Sequence, residues 1–187
     1  MASKQDNLNA SPGLVRRLLR ENRTMGVQLA AHEFRRMMAE LSNPTLFMLE
    51  LDFPGETPVP APDIPLITDD PIARRLPRLN VNTGSIVSVQ NPESLTPMGI
   101  HVPDIPPDEL RPALRALMTA HATEPFARFV FLCDSYRPIP FLGRYGFVYE
   151  YLGATPLDRA AARAALRFGI QEVRSLIVTR QIWAQNP

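Results

Sequence analysis

Residues 128–146 read RFVFLCDSYRPIPFLGRYG, and this stretch decides the fold of the chain. Its first seven residues, Arg128 to Asp134, form a nearly continuous apolar run, which is typical of a strand buried on both faces of a sheet. FVYEYL at residues 147–152 predicts a second strand. The twelve residues between these strands, 135–146, therefore decide whether the two strands run parallel or antiparallel.

The connection over residues 135–146 has two interpretations. If Pro140 to Tyr145 is a short helix ended by Gly146, the flanking strands are parallel and the core is a small Rossmann-like layer. If the connection is a long hairpin loop, the strands are antiparallel and the core follows the ferredoxin-like βαββαβ pattern. The apolar run at 128–134 slightly favours a parallel or mixed sheet. Both interpretations belong to the α/β class.

The neighbouring segments extend this pattern into an α/β core over residues 84–187. The predicted elements, in chain order, are a strand at 85–90 (SIVSVQ), a proline-rich loop at 91–106, a helix from Pro107 to Ala122, the two strands above, a helix from Asp158 to Phe168 with Gly169 as its C-cap, and a final strand containing SLIVT at 175–179.

The chain before residue 84 predicts a long amphipathic helix and a proline-rich arm. Residues 1–10 are polar and are expected to be a disordered tail, and a helix follows over 11–43. Residues 44–83 are expected to hold a strand, Thr45 to Phe53, and then the arm, in which many prolines exclude helix and inner strand. We expect the tail, helix, arm and core to form one compact domain overall.

The composition narrows the class of protein. The chain has 187 residues, of which 45% are hydrophobic and 20 are proline, with a formal net charge of +1. It can therefore build a core, and it lacks the basic excess of a general nucleic-acid binder. The single cysteine, Cys133, excludes an intramolecular disulfide, and no apolar run is long enough to span a membrane. We expect a cytoplasmic protein, and 19 arginines against one lysine indicate a bacterial-like, GC-rich coding composition.

The best candidate for a ligand site follows the 128–134 strand, because ligands of open α/β sheets bind beyond the carboxyl ends of the strands. Asp134 stands at this end and can anchor a sugar hydroxyl, with Tyr136 beside it. Arg137 and Arg144 in the same loop can hold a phosphate or carboxylate through paired donors. These four residues predict a site for an anionic or sugar-bearing ligand.

Other reactive residues predict no further site. Cys133 lies within an apolar run, where a lone cysteine is usually a small buried hydrophobe. His101 and Asp104 lie within the loop predicted at 91–106 and, without a second histidine nearby, do not make a metal site. The dinucleotide, P-loop and hydrolase-elbow motifs do not occur in the sequence. We therefore predict no metal and no cofactor, and we leave the catalytic residues unassigned.

Two functional hypotheses follow. The first is a non-catalytic accessory protein that docks a protein partner or a second copy through the N-terminal helix and the proline-rich arm. Its interface would use an apolar stripe with spacings of four, seven and four residues: Leu14, Leu18, Met25 and Leu29. The alternative is a small α/β enzyme or ligand-binding domain that holds a phosphate- or sugar-bearing ligand with the 134–144 loop. Because no catalytic motif is present, the sequence favours the non-catalytic hypothesis.

Overall fold

The computed structural model describes residues 12–48, 77–178 and 180–185. Four helices and five strands are assigned there: α1 Pro12–Leu41, β1 Pro97–Val102, α2 Pro107–Thr123, β2 Arg128–Cys133, α3 Ile139–Arg144, β3 Val148–Tyr151, α4 Leu157–Phe168, β4 Glu172–Ser175 and β5 Gln181–Ala184. The predicted tail at 1–10 and most of the predicted arm at 54–80 lie outside the described residues.

The five strands form one mixed sheet in the order β3-β2-β1-β4-β5. The first four run parallel, and β5 pairs antiparallel with β4 at one edge. This order confirms the α/β class and the Rossmann-like interpretation. The connection at 135–146 contains α3, and Gly146, with a positive φ of 72°, follows the end of this helix. Because the helix connects two parallel strands, β2 and β3, the ferredoxin-like alternative is wrong.

Two strand predictions are wrong in position. Residues 85–90 form turns and irregular backbone rather than a strand, and β1 lies instead at 97–102, inside the segment predicted as a proline-rich loop. At the other end, SLIVT contributes only its first residue, Ser175, to β4, and residues 176–178 form a turn before β5. Prolines at 92, 97 and 103 make β1 difficult to predict from the sequence. Pro97 is nevertheless compatible with the strand, because it is the first residue, where a missing amide is tolerated.

The predicted strand at Thr45 to Phe53 is also wrong where it can be compared. Its described part, 45–48, is a turn in which Phe47 has a positive φ of 70°. The Phe47 ring packs edge-on against Phe141, with 5.5 Å between the ring centroids. The remainder of that prediction lies outside the described residues.

Each face of the sheet carries its own apolar layer. On one face, the aromatic residues Phe129 and Phe131 of β2 pack against α2, α3 and the C-terminal half of α1. On the other face, Val130 and Leu132 pack against α4, whose inward side is built from four buried alanines. Small side chains let α4 approach the sheet closely. The alternation along β2 confirms the burial on both faces that the apolar run predicted.

Glu150 of β3 is the one buried acidic residue assigned to the described core, at 7% exposure. Two arginines one turn apart on α4 neutralise it. Nη2 of Arg163 lies 3.2 Å from Oε2, and Nη1 of Arg167 donates to Oε1. These charge-assisted contacts hold α4 over β3.

His121 of α2 is fully buried, and we expect it to make the stability of the fold depend on pH. Its Nε2 lies 3.2 Å from the carbonyl of Thr83, while Nδ1 has no hydrogen-bond partner in the described structure. Burial lowers the pKa of His121 from 6.5, and the bond to Thr83 only partly opposes this. The folded state therefore keeps this ring neutral at a pH where the unfolded chain already binds a proton.

The sign of the effect follows from that difference. The contribution of neutral His121 is fully present above pH 6.5 and is lost as the pH falls below that value, by up to about 1.4 kcal/mol per pH unit. Urea unfolding at pH 7.5 and at pH 5 measures the loss. His121→Gln should reduce it, whereas His32→Gln, at an exposed position, should not. Equal pH dependence in both variants would contradict this assignment.

Candidate ligand-binding site at the carboxyl edge of the sheet

The carboxyl ends of three neighbouring strands bring polar side chains together. His101 is the next-to-last residue of β1, Asp134 follows the last residue of β2, and Ser175 is the last residue of β4. The connection from β1 crosses one face through α2, and the connection into β4 crosses the other face through α4. The strand order therefore reverses between β1 and β4, which is where open α/β sheets bind their ligands.

His101 and Asp134 form a direct pair across this edge. Nε2 of His101 lies 3.0 Å from Oδ2 of Asp134. With its proton on Nε2, the neutral imidazole donates to the carboxylate, and Nδ1 remains as its acceptor nitrogen. The backbone amide of Asp134 donates to the carbonyl of Val102 at 3.0 Å, which ties the start of the loop to β1. The pair is thus held from both its side chains and its backbone.

Ser175 lies beside this pair on the next strand. The register aligns His101 with Ser175 and Gly99 with Val173, so the two polar residues share the face that carries Gly99 and Val173. The Oγ of Ser175 accepts the amide of Ile177 at 3.3 Å, so this contact leaves the hydroxyl proton for another acceptor. Ser175, His101 and Asp134 consequently form a row across β4, β1 and β2.

The loop after β2 adds an aromatic surface and a cation. The ring of Tyr136 stacks on that of Tyr151, with centroids 3.7 Å apart and planes inclined by 23°. A guanidinium nitrogen of Arg137 lies 3.9 Å from a carboxylate oxygen of Asp104, in the loop that follows β1. Both tyrosines keep part of their surface exposed. The carboxyl edge therefore carries a hydrogen-bonding pair, an arginine in the loop after β2 and, on the face that Tyr151 shares with Cys133, a stacked aromatic pair.

The structure separates the four predicted ligand residues into two places. Asp134, Tyr136 and Arg137 lie at the carboxyl edge, as the reasoning from strand ends predicts. Arg144 lies at the end of α3, where the chain turns back toward the start of β3 at the opposite edge. Its Nη1 donates to Oε2 of Glu40 on α1 at 2.9 Å. Arg144 thus joins α1 to α3 and does not face the other three.

Cys133 lies on the other side of β2 from this row. It belongs to the core formed with α2 and α3, and burial, with the adjacent Asp134 charge, raises its thiol pKa to about 12. A thiol with that pKa stays protonated at neutral pH and is a poor nucleophile. Across the described ranges no three histidine, cysteine or acidic side chains group as metal ligands.

Sequence reasoning missed the roles of His101 and Ser175. The signal for His101 is present in the strand itself, because Met98, Ile100 and Val102 alternate with smaller or polar residues. That period-two pattern places His101 on the opposite face from the apolar residues. The signal for Ser175 is weaker, since only the pairing of β4 with β1 sets it beside His101.

The fold and this edge define a three-layer α/β protein with a parallel core and a polar cluster where the strand order reverses. No family model, curated protein or solved structure matches the chain. Within the described parts, none of the helices combines the length and apolarity needed to cross a bilayer.

Proposed function

We propose that this protein is a ligand-binding α/β domain that holds a phosphate- or sugar-bearing ligand at the carboxyl edge of its sheet. The observation that carries the proposal is the His101–Asp134 pair, 3.0 Å apart, at the point where the strand order reverses. A partly buried histidine aligned by a carboxylate is suited to accept or donate one hydrogen bond in a fixed direction.

The neighbouring side chains suit the same ligand class. Arg137, whose guanidinium lies 3.9 Å from Asp104, supplies planar donors for a phosphate or carboxylate. The stacked pair of Tyr136 and Tyr151 offers a flat surface for a sugar or a base. If the ligand is also transformed, Nδ1 of His101 is the natural proton acceptor, and Ser175 supplies a hydroxyl at the paired position of β4.

A thermal-shift panel tests the proposal directly. Inorganic phosphate, a nucleoside diphosphate and a nucleoside-diphosphate sugar are added separately to the full chain. A ligand present at about 100 times its dissociation constant stabilises by about 2.7 kcal/mol, which raises the melting temperature by about 5–10 °C for a chain of this size. We expect Arg137→Met and Asp134→Asn to remove most of that shift.

Arg144→Met is the matched control, because it removes an arginine that pairs with Glu40 away from the edge. It should leave the ligand-induced shift unchanged even if it lowers the starting melting temperature. No shift with any of the three probes, or an equal loss in Arg144→Met and Arg137→Met, would overturn the proposal.

We propose as a second function that the protein docks a protein partner or another copy of itself through α1, as a non-catalytic accessory protein. The supporting observation is the exposed apolar stripe of that helix, where the exposed fractions are 49% for Leu14, 48% for Leu18, 56% for Met25 and 60% for Leu29. Apolar side chains that repeat along one side of a helix are typical of a helix-binding surface. The proposed cytoplasmic location fits both functions.

A further inference from the structure

An apolar groove of about 540 Å³ lies between α2 and β4, on the face of the sheet opposite α4. Along α2 it extends from Asp108 to Ala120, which corresponds to about 18 Å of helix. Its helical wall is formed mainly by small residues, including Ala113, Ala116 and Ala120, and Leu176 and Ile177 form part of the opposite wall.

The groove exists because of how the chain leaves β4. The next described elements after β4 are a turn at 176–178 and the antiparallel β5, so no described helix follows β4 to cover this face. The parallel strands β1 and β2 have α2 beside them on the same face. The surface beside α2 therefore leaves room for a further helix against the sheet. The small residues on α2 would allow such a helix to approach closely.

The first half of α1 has the dimensions of such a helix. Its apolar stripe, from Leu14 to Leu29, is about 22 Å long. The same side of α1 becomes polar beyond it, at His32 and Arg36. Beyond the stripe, α1 packs on its own domain through Met37 and Leu41.

The charges of the two surfaces are complementary. Residues 12–30 of α1 carry four arginines and one acidic residue, Glu21. The groove begins at the exposed carboxylates of Asp108 and Glu109 in the first turn of α2, of which that of Asp108 accepts a hydrogen bond from Nη2 of Arg111. Arg174 in the wall likewise pairs with a carboxylate, that of Glu172, at 2.9 Å. A basic helix thus meets an acidic entrance.

The stripe cannot reach the groove of its own chain. The turn that follows α1 is anchored on one flank of α2, where Arg115 donates to Ser42 and Arg111 donates to the carbonyl of Pro44. The groove lies on the opposite flank of α2, along Pro112, Ala116 and Ala120. Because α1 is one continuous helix over 12–41, its first half cannot fold back around α2.

We propose that the stripe of one copy lies in the α2–β4 groove of a second copy, so that the chain associates through an exchange of α1. The inference rests on the second proposed function and specifies its partner. This arrangement differs from a coiled coil of two α1 helices, because each contact joins the stripe of one copy to the groove of the other.

The test measures the mass of the full chain in solution over a range of concentrations by light scattering and sedimentation. Wild type is expected to associate, and Leu14→Glu/Leu18→Glu and Ala116→Arg are each expected to weaken association at least about 30-fold, the effect of removing a binding hot spot. Ala116 is exposed on a helix, so its replacement by arginine should not affect folding. Ala31→Arg, an exposed alanine on the polar side of α1, is the matched control and should associate as wild type does.

Mixing the two variants separates this arrangement from the alternatives. An equimolar mixture of the stripe variant and the Ala116→Arg variant contains one intact stripe and one intact groove, so it should recover a heterodimer. If Ala116→Arg associates normally while the stripe variant does not, the docking function stands and the groove is not its receptor. A wild-type chain that stays monomeric at about 100 μM overturns the inference. If that monomer binds anionic vesicles through α1, the stripe is a membrane-binding surface instead.

Discussion

Phe129→Ala is expected to lower the free energy of unfolding by about 4 kcal/mol, because it empties the centre of the larger core. Phe129 of β2 is fully buried, and its ring contacts those of four neighbours: His121, Phe126, Phe131 and Phe147. No single neighbour can move to fill the cavity, because α2, β2 and the start of β3 would have to shift together. Chemical denaturation at pH 7.5, where His121 is neutral, measures the loss.

Phe126→Ala is the matched control within the same aromatic cluster. Phe126 is 42% exposed and precedes β2, so its removal deletes the same atoms and leaves a site open to water. We expect a loss of about 1 kcal/mol, in line with the smaller area withdrawn from water. If the two variants lose similar stability, the core is not organised around Phe129.

Arg163→Met combined with Arg167→Met is expected to destabilise the fold by about 3 kcal/mol, because it leaves the buried carboxylate of Glu150 without a counter-charge. Either substitution alone should cost considerably less, since the remaining arginine still contacts Glu150. The two losses should therefore be strongly non-additive. Equilibrium unfolding of the two single variants and the double variant measures the coupling.

Adding Glu150→Leu to the double variant supplies the decisive comparison. An apolar side chain beside the alanines of α4 needs no counter-charge, so the triple variant should recover most of the lost stability. Continued instability of the triple variant would show that the arginines act through their packing, for example that of Arg167 over the Phe168 ring, rather than through charge.

The sequence predicts those elements of the parallel core whose local pattern is unambiguous. The run at 128–134 is apolar on both faces, and helix α4 ends at Phe168 with Gly169 as its C-cap, whose φ of 76° suits glycine. The direction of β3 remained open because α3 has only six residues, too few for a clear helical period. Packing of Phe141 and Leu142 into the core decides in favour of the helix.

The central strand β1 was the least predictable element. Its six residues lie between prolines, and its stability comes from pairing with β2 and β4 rather than from local preference. Gly99 illustrates the point, because a Cβ at this position would lie 2.7 Å from the Val173 side chain on β4. Glycine weakens an isolated strand, yet here it leaves room for the side chains of Val173 and Ile170.

The candidate site was predictable only from one strand. Asp134 and Arg137 can be predicted as site residues because they follow a strand that is clear in the sequence. The prediction of His101 requires that β1 be recognised, and the prediction of Ser175 requires the strand order. The position of Arg144 in the loop after β2 predicts that it belongs to the site. Six residues of α3 carry it instead to the opposite edge and to Glu40.

The row of Ser175, His101 and Asp134 also has a consequence for the order of folding. Its three members come from strands whose pairings join distant parts of the chain, such as Gly99 with Val173, so loop closure must precede assembly of the row. No partly folded form that lacks β4 can contain it. A molecule bound there would stabilise the fully folded state alone, and the slowest-exchanging amides of β1, β2 and β4 would be protected together.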